Sequence, residues 1–232
     1  MDIIEPLRAL ADCANAIELR ERRDYHAYLK AHGDDSETLD EHIARHANLA
    51  RLGPPAVPDD LARLQTICPV PLPAELLAFY RTAGGFHGGK RLQDAVIHAP
   101  ADLLRATERP DSQWDRLRSM GLVHMVLWAW GNDRFEFDPA SGEGLDQASV
   151  DALNGNYAIV GWRVMDAGEA HEFIYLDRGG RFGRLYFHQD AFGELLVDDL
   201  VPMVRQARPA PGDLGTVLSQ FIAAIGQPAP QG

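Results

Sequence analysis

Apolar residues at Ile3, Leu7, Leu10, Ala14 and Ile17 recur at intervals of alternately four and three, a stripe along one face of a helix otherwise covered by Arg, Glu and Asp. A second helix is predicted from Asp35 or Ser36, either of which can cap its first turn, through Leu39, Ile43, Ala47 and Ala50 to a stop at Gly53-Pro54-Pro55. The stretch from Gly53 to Asp60 holds three prolines and no periodicity, so it reads as a stiff connector. A short helix follows from Asp59 or Asp60 to about Ile67. In the next, Pro73 suits the first helical position, Leu76, Leu77, Phe79 and Tyr80 form a bulky buried stripe, and Gly84-Gly85 is the terminator.

Beyond that point the period changes. Val96 to His98, Val123 to Trp130, Arg134 to Phe137, Tyr157 to Val164, Glu172 to Leu176 and Arg184 to Phe187 are short β-branched or aromatic runs bounded by Gly, Asn, Asp or Pro, as strands are. Phe135 and Phe137 alternate with Arg134, Glu136 and Asp138, which predicts one buried and one wet face. Asp177 to Gly183 supplies residues free to turn between two runs, so those strands are antiparallel. Asp213 can cap a closing helix with Leu214, Val217, Leu218, Phe221, Ile222 and Ile225 on one face, followed by a frayed tail from Gln227 to Gly232. The expected class is α+β: a mainly antiparallel sheet with helices packed on it, preceded by a helical hairpin extension over residues 1–52 and a connector over 53–60.

With 232 residues, 46 % hydrophobic and 24 % charged, the chain can bury a core without disulfides or metals. No apolar run reaches the length of a membrane span, and the acidic N-terminal Met-Asp-Ile-Ile-Glu lacks the positive charge of a signal peptide. Cys13 and Cys68 cannot make a disulfide framework or a four-cysteine zinc site, so both are expected as core fillers and the expected location is the cytoplasm. The net charge of −12 opposes binding to nucleic acid through a basic face.

The motifs that could carry chemistry are incomplete. Gly84 to Lys90 fits most of a phosphate-binding loop, but Arg91 stands where Ser or Thr must hold magnesium, and the loop follows a helix instead of a strand. His42 and His46 lie four apart on a helical face as in a zinc peptidase, but Ile43 replaces the catalytic glutamate and no third ligand is evident. His171-Glu172 and His188-Gln189-Asp190 have no spacing that specifies a site. Trp114, Trp128, Trp130 and Trp162 could form a stacking platform, though Val126, Leu127, Ile159 and Val160 around them read as core. The expectation is therefore no catalytic residue, no metal and no cofactor.

The order of elements carries a likeness. A Leu-Pro-x-Glu-Leu-Leu-x-Phe-Tyr helix (Leu72 to Tyr80) runs into a Gly-Gly-Phe turn (Gly84 to Phe86), with Ala83 where relatives often carry Asn. Antiparallel strands, an Asp-x-x-Gly-x-x-Gly-x-Leu-Tyr-Phe hairpin (Asp177 to Phe187) and a closing helix follow. This resembles the SUKH superfamily, which groups fungal cell-wall assembly regulators with bacterial immunity proteins of polymorphic toxin systems. The resemblance places the SUKH-like domain at residues 61–226 and implies binding to another protein, without an active site to transfer.

The binding surface is then read from charge. Between Asp133 and Asp199 there are fourteen acids and five arginines, a net of −9. Asp133, Glu136, Asp138, Asp166, Glu169 and Glu172 combine clustering with expected exposure. They are the candidate contacts to a basic toxin, for example a nuclease, with no nucleic acid or membrane as partner. The alternatives are an intracellular adaptor of the same fold with an interface on the N-terminal hairpin, and a small hydrolase or nucleotide-binding enzyme with a pocket near Lys90, His171 or His188.

Overall fold

A computed structural model of the chain describes residues 3–107, 121–122, 145–165, 168–191, 195–206 and 208–225. Among them are eight α-helices: α1 (Ile4–Ala31), α2 (Leu39–His46), α3 (Pro58–Ile67), α4 (Ala74–Thr82), α5 (Pro100–Thr107), α6 (Gln147–Asn156), α7 (Val201–Gln206) and α8 (Leu214–Ile225). Six strands form one antiparallel sheet in sequential order: β1 (Arg51–Leu52), β2 (Phe86–His87), β3 (Val96–Ile97), β4 (Tyr157–Met165), β5 (Ala170–Asp177) and β6 (Phe182–His188). The class is α+β, as the pattern predicts. The strand runs predicted at Val123 to Trp130 and Arg134 to Phe137, and the tail from Gln227, lie outside the described residues.

Both faces of the sheet are covered. On one side Ala158, Val160, Ile174, Leu176 and Phe182 join residues of α1, α3, α4 and α8 in a single core. On the other, Tyr157, Ile159, Phe173, Tyr175 and Leu185 pack with Leu153 of α6, Met203 of α7 and Leu195 and Leu200 of the π-helical turn before it. Successive side chains of a strand face opposite ways, so coverage on both sides buries every residue of β5. A bulge between Ile159 and Gly161 shifts the β4–β5 register. Gly161 lets the neighbouring strand approach, since a Cβ there would sit 2.6 Å from the Val96 carbonyl oxygen.

The first helix is longer than its apolar stripe and is rotated from the predicted face. Ile4, Leu7, Ala11, Ala14 and Glu18 are buried, whereas Ile17 is exposed. The rotation follows from Glu18, which Arg22 and Arg91 hold at 2.7 and 3.0 Å. Cys13 falls off the buried face and is exposed, correcting its reading as core; burial pushes the Cys68 thiol up to about 11.

Helix α2 starts later than predicted, because Thr38 and Glu41 make a reciprocal capping box that Asp35 and Ser36 cannot. It also ends earlier, at His46. Asn15 of α1 donates to the Ala50 carbonyl at 2.8 Å and accepts from its amide at 2.7 Å, drawing the chain out of the helix and into β1.

The proline segment is therefore stitched down on both sides. Gly53 N–H donates to the Gly85 carbonyl, Gly84 N–H to Pro54 and Ala56 N–H to Tyr80, at 2.9, 2.8 and 2.8 Å. Residues 1–52, read from the sequence as an extension, contribute an edge strand and part of the main core. Removing residues 1–52 is expected to abolish the cooperative thermal transition of the full chain. Leu7→Ala, at a fully buried position, is expected to cost about 2–5 kcal/mol in chemical denaturation. A truncated chain that still melts cooperatively would contradict this.

Candidate functional site

The six carboxylates expected to meet a partner divide sharply. Asp133, Glu136, Asp138 and Asp166 lie outside the described residues. Glu169 is exposed, between β4 and β5, with its carboxylate 3.8 Å from His188 Nε2; His188 Nδ1 in turn lies 3.8 Å from exposed Asp190. Glu172 is a correction: it is buried, not a surface contact. Arg163 stands directly opposite on β4 and donates through Nε at 2.7 Å. Arg184 on β6 donates through Nε at 2.8 Å and through a second guanidinium nitrogen, and Arg163 also reaches Gln93 Oε1 at 2.8 Å. Alternation along β4, β5 and β6 puts the three charged groups on one sheet face, where two guanidinia neutralise a desolvated carboxylate.

The glycine-rich loop serves packing. It runs from α4 through β2 into a 3₁₀ turn at Lys90–Leu92. Gly85 has φ +157°, and a Cβ there would lie 2.7 Å from the Ile97 carbonyl oxygen; at Gly84 it would collide with that of Pro54. The amides that would cradle a phosphate already donate inside the fold: Gly84 to Pro54, Gly88 to Ala95, Gly89 to His87 Nδ1 and Lys90 to Asn48. Arg91, next in the loop, is bound to Glu18 and Glu21.

The other candidates resolve similarly. His171 is buried and stacked against Trp162 and Phe173, with ring centroids 5.7 and 6.2 Å away, and burial holds its imidazole below the usual range. Trp162 thus belongs to a packed stack, while Trp114, Trp128 and Trp130 lie outside the described residues. A cavity of about 530 Å³ separates the start of α1 from α4 and α8. Its two carboxylates are committed, Glu75 accepting from Leu214 N–H and Asp213 from Thr216 N–H, each at the start of α8.

One cluster goes beyond what spacing revealed. Glu37, just before α2, brings a carboxylate to the His42–His46 pair, and the three offer ligand atoms within 4.8 Å of one another. Glu37 Oε1 is 2.5 Å from His42 Nδ1 and 3.7 Å from His46 Nε2, and Arg45 approaches Oε2 at 3.0 Å. The third member precedes the helix, so a search along the helical face misses it; the pattern Glu-x4-His-x3-His is its only trace.

No protein-family model, curated protein or solved structure matches the chain.

Two tests follow. Glu172→Ala strands Arg163 in a buried site and is expected to lower unfolding free energy by about 3–5 kcal/mol, read from denaturant midpoints. Burial also pushes the His98 imidazole down to about 4 from 6.5, against an opposing pull from Asp102. Between those values the unfolded chain takes up a proton that the folded chain refuses. The contribution of neutral His98 is complete above pH 6.5 and is lost as pH falls towards 4. Half-buried His87 and buried His171 shift in the same direction. The melting temperature should fall through this window, and less steeply in His98→Leu.

Proposed function

We propose that this chain is an immunity protein of the SUKH type, which neutralises a cognate bacterial toxin in the cytoplasm by stoichiometric binding. The observation that carries the reading is where negative charge is left once buried pairing is subtracted. Fourteen carboxylates and five arginines lie between Asp133 and Asp199; burial withdraws Glu172 and Asp177 along with the paired Arg163 and Arg184, which leaves the window at a net of −9. Glu169, Asp190 and Asp198 stay exposed. Such an excess of acid attracts a basic partner over long range, and carboxylates docked on a nuclease would occlude the cations with which it holds phosphate.

The fold supports the reading through the residues that carry the resemblance. Leu76, Phe79 and Tyr80 are buried on α4, the Gly84–Gly85 turn leads into β2, the hairpin from Asp177 joins β5 to β6, and α8 closes the core. A second reading, an adaptor that binds through its N-terminal helices, is favoured by Tyr25 and Tyr28. Both are more than half exposed on α1 and stacked at 6.2 Å, and exposed tyrosines are common anchors of protein interfaces.

Co-expression with the product of the neighbouring gene is the test: the chain should suppress its toxicity and co-purify with it. Glu136→Lys combined with Glu169→Lys is expected to slow association about tenfold at low salt, with the difference shrinking as salt rises. At Glu169, which is exposed, the reversal should preserve folding, because such changes alter stability by about 0.5 kcal/mol or less. Unchanged association, together with loss of binding in Tyr25→Ala/Tyr28→Ala, would move the interface to α1. Absence of both protection and complex would defeat the proposal.

A further inference from the structure

We infer that Glu37, His42 and His46 form a binding site for one divalent transition-metal ion, with Zn²⁺ the best match. Two imidazoles and one carboxylate are the donor set that suits zinc, whereas Mg²⁺ and Ca²⁺ prefer oxygen ligands throughout. Residues four apart on a helix face the same way, which aligns His42 with His46; their ring centroids are 4.7 Å apart. Thr38 begins α2 through its capping box, and the turn just before it delivers Glu37 to the same side.

A second observation marks the cluster as more than a surface charge group. His42 is 2 % exposed, and its Nε2 is buried without a hydrogen-bond partner. A desolvated imidazole with an unmatched nitrogen is unfavourable for a purely structural residue and suits a ligand. Around it, His26 lies at 5.5 Å and Tyr25 at 5.9 Å between centroids, and His26 Nε2 is 3.1 Å from the Glu37 carbonyl oxygen, fixing the turn that carries the ligand.

The adjustment required is small. Metal bonds of about 2.0–2.2 Å in a tetrahedron put ligand atoms roughly 3.3 Å apart, so a set within 4.8 Å contracts by rotamer changes while the Glu37–His42 contact opens. Arg45 pairs with Glu37 and gives way on binding. Its side chain is 67 % exposed and free to swing into water. Three protein ligands leave a fourth position on the side of the half-exposed His46, for water or for a donor from a partner. Glu41, beside His42 in sequence, is committed to the Thr38 backbone and hydroxyl, both at 2.8 Å, and is not available as a hydrolytic base. Its role is to clasp the turn before α2 to the helix itself.

The full-length chain is titrated with Zn²⁺ and, separately, with Co²⁺ as a spectroscopic stand-in. One equivalent should bind, Co²⁺ should give visible absorption bands that Zn²⁺ abolishes, and Zn²⁺ should raise the melting temperature where Mg²⁺ does not. His46→Ala, at a half-exposed position, and Glu37→Gln, which keeps the size of the side chain, should weaken Zn²⁺ binding beyond the roughly 10–100-fold typical of losing an outer partner. His42→Ala should abolish it, and His188→Ala, on the far hairpin, should leave it unchanged. Failure of the wild-type chain to bind one equivalent would overturn the assignment. So would binding that survives both His46→Ala and Glu37→Gln.

Discussion

A single backbone crossing holds the molecule together. The chain leaving β1 passes under the end of α4, and in three residue pairs the amides and carbonyls of Gly53, Pro54 and Ala56 meet those of Gly85, Gly84 and Tyr80. That approach is possible only where no Cβ intervenes: a methyl group at Gly84 would enter the Pro54 carbonyl, and one at Gly85 the strand carrying Ile97. From the crossing the rest follows. β1 and β2 are set side by side, α4 lays Leu76, Phe79 and Tyr80 onto the sheet, and α1 is brought close enough for Asn15 to clasp Ala50.

Around that crossing two buried carboxylates are each matched by a pair of arginines. Glu18 joins α1 to the loop after β2 through Arg91, and Glu172 joins β4, β5 and β6 through Arg163 and Arg184. The second specifies register: a residue slip in β5 would carry Glu172 to the opposite face and take the carboxylate from both guanidinia. In the C-terminal half the two arginines drawn inwards are balanced by two buried acids, Glu172 and Asp177, so the excess of acid in the sequence is undiminished. The functional reading depends on that imbalance.

Local rules were enough to read much of this. Pro58–Ile67, Ala74–Thr82 and Leu214–Ile225 are helices whose starts, stops and apolar faces are written in consecutive residues, and Asp213 caps the last as its position implies. The hairpin after Asp177 is equally local, with Gly180 at φ +76° and Asp177 accepting from the Arg181 amide. What could not be read is held by partners distant in sequence. β1 has only two residues and exists because Asn15 and β2 capture it. Glu172 resembles a solvated strand acid until Arg163 and Arg184 are seen beside it. Of the candidate contacts, Glu169 alone is described and exposed. Glu37 becomes a neighbour of His46 only after the turn before α2 is built.

The proposed function is occupation of a partner's surface, without bonds made or broken. Titrating the activity of the cognate toxin with increasing amounts of the purified chain tests it directly. Residual activity should fall linearly and reach zero at a fixed molar ratio, independent of incubation time once binding is complete. Complete inactivation by a small fraction of an equivalent, growing with time, would mean turnover and would contradict the account.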